Sequence, residues 1–268
     1  RLVAHELEIA HRIQRALLPT SLPQPANFEL AANWESARQV GGDFYDAIPL
    51  GERSMLLVVA DVMGKGVPAA MFATIMRSLL RALAAVPGRS HQPAKLLKRL
   101  NELLYEELSS VGMFITAQLA VVDLERRELV VASAGHCPIL VMSDGRGLTL
   151  RITGTPLGIL PDTRYRQQTT TLAPRAGVVL YTDGLSESLD AAGEMFGHDR
   201  LADWLRQRFS TPLSAAQLRD ELAAELNRFR GGMTLRDDQA FLVLAEQSVA
   251  AALPFVAAPE PVEAVSFA

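Results

Sequence analysis

Hydrophobic and polar positions divide the chain into short apolar runs, some alternating and some continuous, and a few longer stretches with helical spacing. Residues 2–18 carry apolar side chains at Leu2, Ile9 and Ala16 and at Val3, Ala10 and Leu17, with Ile13 between them. That spacing predicts an amphipathic helix, suited either to a coiled-coil-like contact or to packing on its own domain. Pro19, Pro23 and Pro25 end it and stiffen the connector that follows. Residues 28–37 and 41–50 read as the first strands. The next, 53–61, has an unbroken apolar core from Leu56 to Ala60, as expected of a fully buried strand. Helices are predicted over 68–86, ending at Pro87-Gly88, and from Pro93 to Ser109, where Leu96, Leu97, Leu100, Leu103, Leu104 and Leu108 supply a core face.

Residues 113–152 read as an antiparallel meander. MFITAQLAVVDL and ELVVASAG flank a turn at Glu125-Arg126-Arg127, and ILVMSD and GLTLRI flank one at Asp144-Gly145-Arg146. A Gly/Pro loop at 154–162, strands near 165–172 and 177–182, helices near 199–209 and 214–229, and a last strand at 238–245 complete the pattern. Many antiparallel strands with helices in two clusters predict an α+β fold, two sheets packed face to face and flanked by helices. Residues 1–22 are expected to form a linker helix, 23–246 the folded domain, and 247–268, rich in Ala, Val, Pro and Glu, a poorly ordered tail.

Aspartate recurs where strands meet turns. Asp43 follows two glycines in GGDFYD, and Asp61 ends the buried run ahead of Gly64 and Gly66. Asp183 closes GVVLYTDG, and Asp237 and Asp238 open DDQAFLVL. One Asp before a glycine turn is ordinary turn chemistry. Four isolated carboxylates gathered in one cleft would repel and be driven toward protonation unless cations neutralise them, so the pattern favours a two-metal site built from hard oxygen donors.

Composition narrows the partners. The 268 residues suit one large domain, or one with an appendage, and 49% hydrophobic content supplies a core. A net charge of −4 and the absence of a basic stripe interleaved with aromatics argue against nucleic acid. No apolar run approaches the roughly 20 residues that span a bilayer, and no secretory leader is visible, so no membrane contact is expected. The single Cys137 cannot form an internal disulfide, which suits a reducing cytoplasm. It follows His136, but neighbours on an extended segment point to opposite faces, so it reads as a small packed residue and not a nucleophile. His136 reads as a loop histidine that bonds backbone, with a place near a substrate phosphate as the alternative. Gly154, Pro156 and Gly158 set loop shape, and MGKG lacks the spacing of a phosphate-binding loop.

In order along the chain, A-x-x-I-Q-x-x-L-L-P (Ala10, Ile13, Gln14, Leu17, Leu18, Pro19), GGDFYD, ADVMGKGVPAAM, AGHCPIL, GTPLGI, LYTDGLSE and DDQAFLVL resemble the motifs of the SpoIIE/RsbU-type serine phosphatases. These are the bacterial branch of the metal-dependent PP2C-like (PPM) phosphatases, and the resemblance runs from Ala10 to Leu244. It implies an αββα sandwich and a phosphoserine/phosphothreonine phosphatase using two Mn²⁺ or Mg²⁺ ions. Asp61 matches the residue that bridges both ions, with the Val62 carbonyl and Asp43 serving the second ion and Asp183 and Asp237 the first. Asp46 and Asp238 would support these ligands or be plain hydrogen-bonding acids. A water held between the ions would attack phosphorus in line, with no phosphoenzyme.

The implied substrate is a phosphorylated STAS-type anti-anti-sigma protein in a partner-switching pathway. Two departures stand out: Met63 occupies the place of a histidine in many eukaryotic relatives, and DDQAFLVL lacks the Ser or Thr often found two residues after its second acid. The competing readings are a non-catalytic PPM-fold module that binds such a partner, and a different two-metal hydrolase such as a nuclease. The N-terminal helix is expected to be regulatory, to form a homodimer, and to receive signals from a sensor upstream of Arg1, passing them to the helix that begins near Pro68.

Overall fold

A computed structural model describes residues 2–19, 21–86, 91–143, 146–211 and 213–247, with side chains described from His5 onward. In chain order the elements are α1 (Leu2–Leu17), β1 (Phe28–Glu35), β2 (Phe44–Pro49), β3 (Ser54–Val62), α2 (Val67–Ala84), α3 (Pro93–Ser110), β4 (Ile115–Asp123) and β5 (Glu128–Ala134). They continue with β6 (Ile139–Ser143), β7 (Arg146–Leu150), β8 (Gln167–Thr171), β9 (Gly177–Tyr181), α4 (Asp183–Ser186), α5 (His198–Arg208), α6 (Ala215–Arg230) and β10 (Gln239–Glu246). One sheet runs β2-β3-β4-β5-β8 and the other β1-β10-β9-β6-β7, with every neighbouring pair antiparallel. α2 and α3 cover the first sheet, and α5 and α6 the second. The layers are those of an αββα sandwich.

The two-residue period of a strand decides which core each side chain enters. From β9 and β10, Val178, Leu180, Leu242 and Leu244 join the core shared with β3 and β4. Their neighbours Val179, Tyr181, Phe241 and Val243 pack with Leu201, Leu205, Leu218 and Leu222 of α5 and α6. Covered on both faces, these strands have no polar alternation to show. The same holds for β3, whose Leu56 to Ala60 are fully buried.

Element ends shift from the sequence expectation for local reasons. The strand expected over 41–50 begins only at Phe44, because Gly41, Gly42 and Asp43 form a loop bonded to other segments. α6 starts behind a Ser214–Gln217 capping box and stops at Gly231 in the left-handed conformation. The one-turn α4 has no counterpart in the hydropathy pattern. The Asp144-Gly145 turn, the Pro87-Gly88 helix end and the tail from residue 248 lie outside the described residues.

α2 corrects one expectation. Over Val67–Ala84 it is long and apolar enough, by length and composition, to cross a bilayer. Here Ala69, Ala73, Met76 and Leu80 bury it against the first sheet. Its two arginines reach under it to Asp46, which pairs in register with Val58 on β3. Val58 and Asp61 are an odd number of residues apart, so their side chains leave opposite faces of the sheet. Asp46 is therefore not part of the end of the sandwich where Asp61 lies, and its reading as a supporting residue there is replaced by a structural one. Fully buried, it accepts two hydrogen bonds from Arg81, at 2.6 Å from Nε and 2.7 Å from Nη2. Arg77 Nε approaches the same carboxylate at 3.0 Å, close enough to pair but not aligned for a hydrogen bond.

Removing one member of a buried ion cluster leaves the others uncompensated, at a cost of about 3–5 kcal/mol. Asp46→Ala should lower the unfolding free energy in urea by that amount. An unchanged midpoint and slope would show that the cluster adds nothing to stability.

Candidate metal centre

The recurrent acids meet at one end of the sandwich, delivered by four chain segments. Asp43 closes the β1–β2 loop, Asp61 is the next-to-last residue of β3, Asp183 opens α4 directly after β9, and Asp237 and Asp238 lead into β10. Their approach depends on glycine. A methyl group on Gly184 would lie 1.9 Å from the Asp238 carbonyl oxygen, and one on Gly42 would lie 2.7 Å from that of Val62. Both contacts are backbone, so neither yields by a side-chain rotation.

Hydrogen bonds hold these segments in place. Thr182 Oγ1 donates to Asp43 Oδ2 at 2.6 Å, and Trp34 Nε1 donates to the Asp43 carbonyl at 2.8 Å. The Asp238 carboxylate accepts from Ser36 Oγ at 2.9 Å, the Ala37 N–H at 2.8 Å and the Gly42 N–H at 2.7 Å. Asp238 thus ties the loop before Asp43 to the entrance of β10. From outside the sandwich, Gln14 of α1 makes a reciprocal pair with Gly41, donating to its carbonyl at 2.6 Å and accepting its N–H at 3.1 Å. His11 also contacts the Gln39 carbonyl. Val62 donates its N–H to the Gly42 carbonyl at 3.3 Å, so its peptide lies beside the Asp43 segment.

Crowding raises the proton affinity of the acids. Burial, then the charge of Asp183, pushes Asp61 up to about 7, against the help of Asp43 within hydrogen-bonding reach. Burial and then Asp61 raise Asp43 well above the usual carboxylate range, opposed by the Thr182 hydroxyl. Burial, Glu187 and Asp237 raise Asp183. An arrangement this unfavourable to its own negative charge is one that a cation would relieve. Carboxylates alone, without thiolate or imidazole, suit hard divalent ions.

As they stand, no three ligating side chains among the described residues converge on one point. Asp43 turns to Thr182, and Asp237 pairs with Lys65 Nζ at 2.9 Å. An all-carboxylate donor set fits hard divalent ions, although two of its members are engaged with these other partners.

His136 takes no part as an acid. Its Nε2 lies 3.1 Å from the Tyr181 carbonyl, which can only accept, so Nε2 carries the proton and Nδ1 accepts from Thr116 Oγ1 at 2.8 Å. Burial lowers its pKa to about 4, leaving a neutral ring. This is a loop histidine bonded to backbone. It links β4, opposite Asp61, to β9, next to Thr182 and Asp183. Burial likewise pushes the Cys137 thiol up to about 12, too high for a nucleophile at neutral pH. Thr182, Ser36, Gln14 and Lys65 were missed as site residues in the sequence. Thr182, adjacent to Asp183 in LYTDG, Lys65, set between two glycines, and Gln14, within A-x-x-I-Q-x-x-L-L-P, lay in recognisable motifs, whereas Ser36 carried no local signal.

Residues 51–246 match the family model described as Stage II sporulation protein E (SpoIIE), a span that contains Asp61, Asp183 and Asp237 and begins after Asp43. The chain is 32% identical over 229 residues to Protein IcfG of Synechocystis sp., covering 76% of this chain and 36% of that protein. It is 33% identical over 187 residues to phosphoserine phosphatase RsbU of Bacillus subtilis, covering 69% of this chain and 54% of that protein. It therefore spans about a third to about half of the length of these curated relatives. Among solved structures it is similar to the SiaA-PP2C domain of Pseudomonas aeruginosa, with a TM-score of 0.79, 28% identity, and coverage of 91% of this chain and 96% of that one.

The backbone contact at Gly184 generates a test. Gly184→Ala should cost about 1–3 kcal/mol of stability, the usual penalty of an added methyl in a packed region, read as a lower melting temperature. A variant that melts like the parent would show that β10 and α4 have room between them.

Proposed function

The chain belongs to the SpoIIE family, and we propose that it is a metal-dependent protein phosphatase that hydrolyses phosphoserine or phosphothreonine on a partner protein. The observation that carries this reading is the set of four acids, Asp43, Asp61, Asp183 and Asp237, brought to one end of the sandwich with three of them destabilised as anions. Asp61 would bridge two Mn²⁺ or Mg²⁺ ions, with Asp43 and the Val62 carbonyl on one and Asp183 and Asp237 on the other. When bound, such ions neutralise phosphoryl oxygens and make an attacking water acidic enough to ionise near neutral pH. Thr182 steadies Asp43, and Asp238 holds the loop behind it. Neutral His136, with both nitrogens engaged, and the neutral Cys137 thiol stay out of proton transfer and nucleophilic attack.

Retention of all four acids favours catalysis over a partner-binding module. The net charge of −4 favours a protein substrate over nucleic acid. The substrate class we favour is a phosphorylated STAS-type anti-anti-sigma protein in a cytoplasmic partner-switching pathway, on the strength of the motif resemblance and the similarity to RsbU. Phosphate release from such a protein should require added Mn²⁺ and stop in chelator, and Asp61→Asn should abolish it while the metal-free protein melts no lower than the parent. A folded Asp61→Asn variant with near-parental turnover would remove the site assignment.

We also propose a homodimer through α1 and α2. Ile13 of α1 and Met71 of α2 are 57% and 59% exposed, and with Leu17, Val67 and Ile75 they line an apolar groove of about 320 Å³. Isolated helices of this length are marginal in water and need a partner surface. From α1, the Gln14–Gly41 pair leads to the Asp43 loop, and α2 begins after the turn that follows Asp61. Changing Ile9 and Ile13 together to Asp should halve the mass seen by light scattering and alter phosphate release. If mass and rate both stay the same, α1 is ordinary packing.

A further inference from the structure

We propose that Lys65 is a built-in counter-ion that holds Asp237 away from the metal centre, so that a divalent ion must displace its ammonium group before it can use that carboxylate. The proposal rests on the two-metal reading and adds to it a residue that sets metal affinity.

Lys65 sits in the turn between β3 and α2, between Gly64 and Gly66, whose φ values of +96° and +80° belong to the left-handed region that favours glycine. From there its ammonium reaches across to the segment entering β10. It lies 2.9 Å from Asp237 Oδ2 and donates to the Arg236 carbonyl at 2.5 Å. The other oxygen, Asp237 Oδ1, accepts the Asp238 N–H at 3.0 Å. Both oxygens of Asp237 are therefore engaged. By contrast, Asp43, Asp61 and Asp183 have no ion-pair partner among the described residues.

The strength of the contact suits a displaceable partner. The side chains of Lys65 and Asp237 remain 34% and 48% exposed, and ion pairs at that exposure contribute little. A divalent ion that also satisfies Asp61 and Asp183 gains far more from the same carboxylate, because it cancels repulsion among acids that have no ion-pair partner among the described residues. Metal would win the competition, but at an affinity reduced by the cost of releasing Lys65. Lys65 and Asp61 belong to one short stretch of chain, whereas Asp237 comes from the other sheet. The pair thus fastens the two halves of the centre together until metal replaces it.

The test is calorimetric titration of Mn²⁺ into the parent protein, Lys65→Met and Lys65→Arg, with melting curves to check folding. Methionine keeps the unbranched stem and removes the charge, and arginine keeps the charge. Lys65→Met should bind Mn²⁺ about three- to fivefold more tightly than the parent, the upper range expected for removal of one exposed ion pair. Lys65→Arg should stay close to the parent. In an Asp237→Asn background the gain from Lys65→Met should shrink to less than about twofold, which a general change in electrostatic field would not produce. Equal Mn²⁺ affinity in the parent and Lys65→Met, or weaker binding in the variant, would overturn the counter-ion role while leaving the metal centre standing. No binding in the parent at all would overturn the metal reading and the proposal with it.

Discussion

Repulsion among carboxylates at one end of the sandwich is the constraint to which the neighbouring structure answers. Asp43, Asp61 and Asp183 are pushed toward their protonated forms first by burial and then by one another. A fold gains nothing in stability from such a cluster. It persists because the segments bearing the three acids are fixed by contacts outside the trio: the β3–β4 register, the close backbone approaches at Gly42 and Gly184, and the fan of donors around the Asp238 carboxylate.

Two sheets, and not one, build this end. Asp61 and Asp43 belong to the first sheet and its entry loop, whereas Asp183 and Asp237 come from the second. Small sliding of one sheet over the other would change the distances between them. His136 resists that motion by bonding Thr116 of one sheet and the Tyr181 carbonyl of the other, and Thr182 resists it by reaching Asp43. α1 lies outside the sandwich but is bonded to the same loop through Gln14. Through Gly41, α1 is therefore bonded to the chain two residues before Asp43.

Much of this was legible in the sequence, for a physical reason. A buried strand must be apolar throughout, so an acid at its end interrupts the pattern, and Asp61 and Asp183 stood out on that ground. Asp43 and Asp237 showed themselves by their glycine or acidic neighbours. Asp46 shared the GGDFYD motif with Asp43 yet proved to belong elsewhere. It lies three residues further on, opposite Val58, and strand parity turns it under α2 toward Arg77 and Arg81. What stayed hidden were pairings between distant segments, such as Thr182 with Asp43, Lys65 with Asp237, and Gln14 with Gly41. Each joins residues far apart in sequence, so a motif can mark the residue but not its partner.

The central claim is that this acidic end holds two divalent ions with Asp61 between them. Crystals of the protein grown with Mn²⁺, measured at a wavelength where manganese scatters anomalously, test it most directly. The account predicts two anomalous peaks separated by about 3.5–4 Å, the spacing of two-metal hydrolytic sites, with an Asp61 oxygen between them and Asp183 and Asp237 on one side. Anomalous density located away from Asp61, or none at saturating Mn²⁺, would contradict it.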